Sequence, residues 1–324
     1  MAISKSQIFF EKLWYRDTVW WLWLFIPLHW LLKVLVWLRH SFYKLGFFKS
    51  NKLDVPVIVI GNINVGGTGK TPFAVYLLNY LKELGHKPGL ITRGYGSDTS
   101  LHPQHVQQQS QLNEVGDEPL LIVKNTQCPI VVDYQRSRGA QQLIDDFGCD
   151  IVVCDDGLQH YALQRDLEIL IVDNSRGYGN GWLMPFGPLR EPISRAKLCD
   201  VKILNGKDMT LETSTLKFVV DSSSITPDEL KTPIHAVAGI GNPQRFFNSL
   251  KSLSLEFSEQ SFPDHHNFQA GDFTEEAGSI IMTEKDAVKC KAFADKRFYY
   301  LPVTAILSPE SQSALQQALN KLLD

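Results

Sequence analysis

Val55-Pro-Val-Ile-Val-Ile60 runs straight into Gly61-Asn-Ile-Asn-Val-Gly66-Gly67-Thr68-Gly69-Lys70-Thr71, and the helical pattern of residues 71–84 follows at once. A β-branched run, a glycine-rich turn ending in Gly-Lys-Thr and an amphipathic helix make up the setting in which a P-loop works. Glycines let backbone N–H groups wrap phosphate oxygens, and the helix N-terminus adds positive potential. Lys70 is expected at the β- and γ-phosphates and the Thr71 hydroxyl on Mg²⁺. Asn64, Val65, Gly66, Gly67, Thr68 and Gly69 complete the expected nucleotide contact. Asn64 stands where the strict pattern has its first Gly, and Gly66 and Gly67 supply flexibility instead. Pro72 suits a first helical turn, where its missing N–H costs little.

Working outward, Phe73, Ala74, Leu77, Leu78, Leu81 and Leu84 recur at helical spacing and stop at Gly85. Residues 88–92, 129–133, 151–154 and 169–172 read as further strands. Nearly continuous apolar strands separated by helices predict a mostly parallel sheet covered on both faces. Residues 97–111 are polar and Gln-rich and read as a surface loop. The pattern breaks over residues 208–233 and resumes at Ile234 with a second strand–loop–helix unit. The fold expected is α/β: a P-loop domain over 53–215, a smaller α/β domain over 216–324 and an N-terminal membrane-associated helix within 1–52.

The head of the chain differs from its body. Six of seven Trp precede residue 38, and residues 1–52 hold eight Lys and Arg against two Asp and Glu, leaving the remainder at −9. From Val19 to Leu38 only Pro27, His29 and Lys33 interrupt apolar residues, a length that could span a bilayer. Thr18, His29, Lys33 and His40 fall on one narrow side, which favours embedding in one face over a crossing. Lys5, Lys12 and Arg16 before the run, and Arg39, Lys44, Lys49 and Lys52 after it, would meet anionic lipid. The whole chain of 324 residues is near neutral at −3, so no nucleic-acid partner is expected. Five cysteines without a CxxC pair read as reduced cytosolic thiols. His102 and His105 lack partners at zinc spacing.

Asp155-Asp156 closes a buried strand and continues Gly157-Leu158-Gln159-His160. After a P-loop, such a pair is expected to hold Mg²⁺ or its waters, whereas Asp173 reads as an ordinary loop cap. Asp117 and Glu118 in Gly116-Asp-Glu-Pro119 read, on their own, as first-turn helix chemistry. Arg93-Gly-Tyr-Gly96 sits beyond a strand, where Arg could meet a phosphate. Asp264-His-His266 lies in a loop where a histidine could position or deprotonate a hydroxyl. Residues 237–243 imitate a dinucleotide fingerprint but carry Gln244 at the third Gly position, which disfavours NAD. Asn205-Gly-Lys-Asp208 and Thr283-Glu-Lys-Asp286 place Lys one residue late for guanine reading, so GTP is disfavoured.

Taken in order, the head helix, Val65-Gly-Gly-Thr-Gly-Lys-Thr-Pro72, Arg93-Gly-Tyr-Gly96, Gly116-Asp-Glu-Pro119, Asp155-Asp-Gly-Leu-Gln-His160, Asp264-His-His266 and Thr283-Glu-Lys-Asp286 resemble the tetraacyldisaccharide 4′-kinases of lipid A biosynthesis. The resemblance covers almost the whole chain; Leu158 replaces an aromatic. It implies transfer of the γ-phosphoryl of ATP to the 4′-hydroxyl of a lipid-linked disaccharide 1-phosphate. It also implies an enzyme at the cytoplasmic face of the bacterial inner membrane with no protein partner required. By motif match, Asp117 pairs with His265 or His266 to activate the hydroxyl. Lys70, Asp155 and Asp156 then serve catalysis, with Thr71, Glu118, Asp155 and Asp156 around Mg²⁺. Arg93, Tyr95, His160 and Arg190 are placed at the acceptor or its phosphates. The competing reading is a membrane-bound P-loop ATPase acting on a protein partner.

Overall fold

The structure is a computed structural model that describes residues 13–15 and 20–323. Val19, Thr18, Arg16, Lys12 and Lys5 of the head lie outside the described residues. Strand β1 (Val57–Gly61) is buried throughout. Its side chains alternate: Ile58 and Ile60 pack toward helix α2 (Lys70–Glu83), while Val57 and Val59 pack toward the opposite face. A strand that must be apolar on both sides belongs in the middle of a covered parallel sheet.

That sheet is built around β1. Its neighbours are β5 (Ile151–Asp155) on one side and β6 (Leu167–Asp173) on the other, both parallel to it. Strand β2 (Pro88–Thr92) pairs parallel with β5, and β4 (Ile130–Val132) pairs parallel with β2. Helices α3 (Asp117–Thr126) and α4 (Arg136–Phe147) precede and follow β4. Beyond β6 come β7 (Val201–Asn205), β8 (Met209–Thr213) and β15 (Val303–Leu307). The loop expected over 97–111 contains a short strand, β3 (Gln104–His105), which pairs antiparallel with β4 at the sheet edge. Two residues are too few for alternation to show.

A second sheet, among the described residues, follows the order β10-β9-β14-β13-β11-β12. Strands β11 (Ile234–Ala238), β12 (Ser258–Ser261), β13 (Ser279–Thr283) and β14 (Phe298–Leu301) are parallel. Strands β9 (Leu216–Phe218) and β10 (Ser224–Ile225) complete it in antiparallel fashion. Helix α5 (Pro243–Ser252) follows β11, and α6 (Glu284–Cys290) follows β13. The chain then returns. Strand β15 pairs antiparallel with β8, and helix α7 (Pro309–Leu323) packs Leu315 and Leu319 into the core of the large sheet. Residues 303–323 therefore lie with the first body rather than with the 216–324 unit drawn from the sequence.

Helix α1 (Ile26–Lys44) follows a 3₁₀ segment, Trp20–Phe25. One stripe of it lies on the large body: Leu32 and Val36 touch its core, and His29 Nδ1 accepts from the Leu183 N–H at 3.4 Å. Arg39 Nη2 donates to the Gln159 carbonyl at 3.3 Å, and the rings of His40 and Tyr43 meet Tyr161. The opposite side exposes Trp23, Trp30, Leu31, Leu35 and Trp37.

Candidate active site

The phosphate loop is held from three directions. Asn62 is fully buried and its Nδ2 donates to Thr68 Oγ1 at 3.2 Å, bridging the loop. Asn205, at the end of β7, donates to the Thr68 carbonyl at 2.9 Å. Gly69 has φ +94°, and a Cβ there would stand 2.1 Å from Asn205 Nδ2, so only glycine fits. The third hold is Asn64, whose Nδ2 donates to the Gly177 carbonyl at 2.9 Å. Asn64 is buried away from the cleft and so departs from the expected nucleotide contact; it fixes the base of the loop. Helix α2 begins at Lys70 with no side-chain cap on its first N–H groups, which leaves them directed at an anion.

Asp155 ends β5, buried, and Asp156 follows in a left-handed conformation at φ +48°. The kink sends the two carboxylates apart. Asp156 faces the loop, 3.4 Å from Lys70 Nζ, and takes Arg190 Nη1 at 2.9 Å and 3.1 Å. Burial opposes its ionisation, but Lys70 and Arg190 outweigh that and hold it at about 2. Asp155 stays behind; burial, then the charge of Glu118, pushes its carboxyl up to about 7. Leu158, in the place of an aromatic, is buried against Gly61.

Across the cleft stands the Asp264-His265-His266 loop of the small sheet. His265 Nδ1–H donates to Asp117, 3.1 Å from Oδ2 and 3.2 Å from Oδ1. His266 Nε2 instead faces Asp272 at 3.0 Å and stacks on Phe262. The choice between the two histidines falls on His265, and His266 is a support of its own loop. Asp117 begins α3 and is almost wholly buried. Burial disfavours its charge, yet the His265 hydrogen bond and Lys285 hold it at about 2. The His265 ring loses from burial and gains more from Asp117, so its pKa is raised. The Tyr95 ring tilts over His265 with centroids 4.6 Å apart.

Lys285 lies beneath this pair, 3.0 Å from Glu118 Oε1, 3.4 Å from Asp264 Oδ1 and 3.8 Å from Asp117 Oδ2. Sequence reading had weighed its motif only against guanine recognition. Its signal there was a lysine two residues after β13, and only the fold brings it to carboxylates more than 160 residues away. Asn205 was overlooked in the same way.

The two bodies also touch directly. A Cβ on Gly241 would come 2.4 Å from the Gly67 nitrogen. Asn242 and Arg245 reach Asp173 Oδ2 at 3.4 Å and 3.2 Å, while Asp173 Oδ1 caps the next turn through the Ser175 N–H. Between them lies a cleft of about 1370 Å³ lined by Val65–Thr71, Tyr95, Glu118, Asp156, Arg190, His265 and Lys285, with Tyr76, Tyr80, Leu211, Val303 and Ala305 at its apolar end. Arg93 is exposed and His160 half-buried, and both lie outside this lining. Carboxylates, a phosphate loop and a paired imidazole on facing walls can align a hydroxyl with a nucleotide phosphate.

Residues 21–323 match the protein family LpxK, described as tetraacyldisaccharide-1-P 4′-kinase. The chain is 43% identical over 325 residues to the tetraacyldisaccharide 4′-kinase of Methylobacillus flagellatus, covering 97% of this chain and 96% of that protein. It is 45% identical over 304 residues to that of Pseudoalteromonas atlantica, covering 90% and 98%. Among solved structures it resembles the "apo" form of LpxK from Aquifex aeolicus in complex with ATP, with a TM-score of 0.78, 29% identity and coverage of 93% and 98%.

Proposed function

The chain belongs to the tetraacyldisaccharide-1-P 4′-kinase family, and on that premise we propose how its residues divide the work. The protein is an ATP-dependent lipid kinase of lipid A biosynthesis that phosphorylates a sugar hydroxyl of a tetraacyldisaccharide. The observation that carries the assignment of roles is the Asp117–His265 pair, set opposite the phosphate loop across the cleft.

Lys70 and the first N–H groups of α2 bind the β- and γ-phosphates. Asp117 and His265 take the proton of the acceptor hydroxyl as a coupled unit. Asp117, ionised, holds the ring by its Nδ1–H, and Tyr95 limits the ring's tilt. Lys285 keeps Glu118 and Asp117 apart in charge and fixed in place. A sugar hydroxyl is a weak nucleophile and the phosphoryl transition state is loose, so most of the rate comes from alignment and charge neutralisation.

A divalent cation fits this site. Asp155 is a buried carboxylate that its surroundings leave poorly compensated, at about 7, beside Asp156 and the Thr71 hydroxyl. Among the described residues no three His, Cys, Asp or Glu side chains make a cage by themselves, and Glu118 is taken by Lys285. That suits Mg²⁺, which keeps waters and phosphate oxygens as partners. Thr71, Asp155 and Asp156 are the residues that would hold it, with Glu118 on the outer side. When bound, Mg²⁺ neutralises charge on the transferring phosphoryl group.

Residues 20–44 lie flat on the body by one stripe and present tryptophans and leucines outward, the arrangement of a helix embedded in one face of a membrane. ATP supply and five free cysteines point to the cytoplasmic side of the inner membrane.

The test is incubation of the purified protein with γ-labelled ATP, Mg²⁺ and tetraacyldisaccharide 1-phosphate in detergent. Label should appear on the lipid at the 4′ position and disappear with a chelator. Label released only as inorganic phosphate would contradict the account.

A further inference from the structure

Three neighbouring strands of the large sheet, β5, β2 and β4, deliver basic side chains beyond their carboxyl ends. Arg93 follows β2 and is exposed; Arg136 opens α4 just after β4; His160 ends the turn after β5. Arg39 reaches the same turn from α1 through the Gln159 carbonyl. Arg165 closes the group from below, bound to the Leu158 carbonyl at 3.1 Å, to the His160 carbonyl and to Glu168. Burial and the charges of Arg136, Arg165, Arg39 and Arg93 together press His160 down to about 4, so it is a neutral donor and acceptor at pH 7.

The other arginines near the catalytic carboxylates are spent. Arg190 is paired with Asp156, Arg138 with Asp133 and Arg195 with Glu168. Arg136 is not. Its side chain is 94% buried by residue exposure of 6%, yet among the described residues it has neither a hydrogen bond nor an ion pair. A buried, always-charged guanidinium without a partner is costly, and its planar fork suits a phosphate. β4 lies three strands from β1, which at the strand spacing is about 14 Å across the sheet. The group is therefore separate from the nucleotide phosphate loop, and it is open toward α1.

We propose that Arg136 and Arg93, with His160 and Arg39, bind the phosphate monoester that the lipid acceptor already carries. This rests on the lipid-kinase reading of the cleft and gives it a second anchor: one phosphate fixed near α1 while a hydroxyl at the other end of the disaccharide meets Asp117–His265. The same chemistry could be offered by an anionic bilayer lipid, and the experiment separates the two.

kcat/KM is measured for the full chain with tetraacyldisaccharide 1-phosphate and with the same disaccharide lacking that phosphate, in neutral detergent with and without phosphatidylglycerol. The wild type should prefer the phosphorylated acceptor. In Arg136→Ala that preference should fall by about tenfold or more, the scale of a lost charge-assisted contact, chiefly through KM, with Arg136→Lys recovering part and phosphatidylglycerol changing nothing. If Arg136→Ala does not fold, as judged by ATP-dependent thermal stabilisation, the exposed Arg93→Ala should reduce the preference several-fold. An unchanged preference would overturn the proposal, and so would a loss that appears only when phosphatidylglycerol is varied. A wild type that labels neither acceptor would sink the kinase reading and this inference with it.

Discussion

His265 Nδ1 stands 3.1 Å from Asp117 Oδ2 although the two residues belong to different sheets, one at the start of α3 and one in the loop after β12. The contact closes the cleft at the point where the phosphate loop opens, so the two bodies must be together for the pair to exist. Chemistry and closure are thereby the same event.

The two adjacent histidines should separate cleanly. His265→Ala should lower kcat by roughly 10²–10⁴, the usual worth of a positioned proton acceptor, with ATP affinity little moved. His266→Ala, which breaks only the Asp272 contact, should cost far less. Steady-state kinetics on both variants checks this, and equal losses would return the choice between them to open ground.

The titration of His265 should lie above its ordinary 6.5, because Asp117 favours the imidazolium. Asp117→Asn removes that partner and should move the midpoint down. Lys285→Met removes a nearby cation that opposes the imidazolium and should move it up. NMR of the His265 ring carbon follows both shifts directly. In the wild type kcat/KM should rise as pH passes upward through the same midpoint, since the protonated ring cannot accept a proton.

Gly241 touches the phosphate loop. Gly241→Ala places a methyl within 2.4 Å of the Gly67 nitrogen, and a displacement of about 1 Å at a reacting centre can cost up to roughly 100-fold. Raised KM for ATP and lowered kcat are both expected. Gly271→Ala, with nothing within 4 Å, serves as the control.

The outer side of α1 should carry membrane binding. Replacing Trp23, Trp30 and Trp37 by Ser leaves the docked stripe of His29, Leu32 and Val36 intact, so the body stays folded. Vesicle flotation should be lost while ATP binding persists. Removing residues 1–40 outright would also uncover the core beneath Leu32 and Val36.

The phosphate loop and its flanking strand and helix were legible because three signals coincide there: a β-branched run, turn glycines and helical spacing. β1, β2, β5 and β6 were readable for the same reason, being long apolar runs. The return of β15 and α7 to the large sheet was not, since periodicity reports what an element is and never which sheet it joins. Asp117 illustrates the limit at the site. Alone it reads as a helix-start carboxylate, and only a histidine almost 150 residues on reveals its other use. Lys285 and Arg136 carried no local signal at all, because their meaning lies in who surrounds them.

The central claim, that Asp117 and His265 act as one proton-accepting unit, is tested most directly by the kcat of the double variant Asp117→Asn/His265→Ala. If the two act together, the double variant should be no slower than the worse single variant, because the second change removes nothing that the first has left working. If instead the two losses multiply, each residue contributes on its own and the coupled account is wrong.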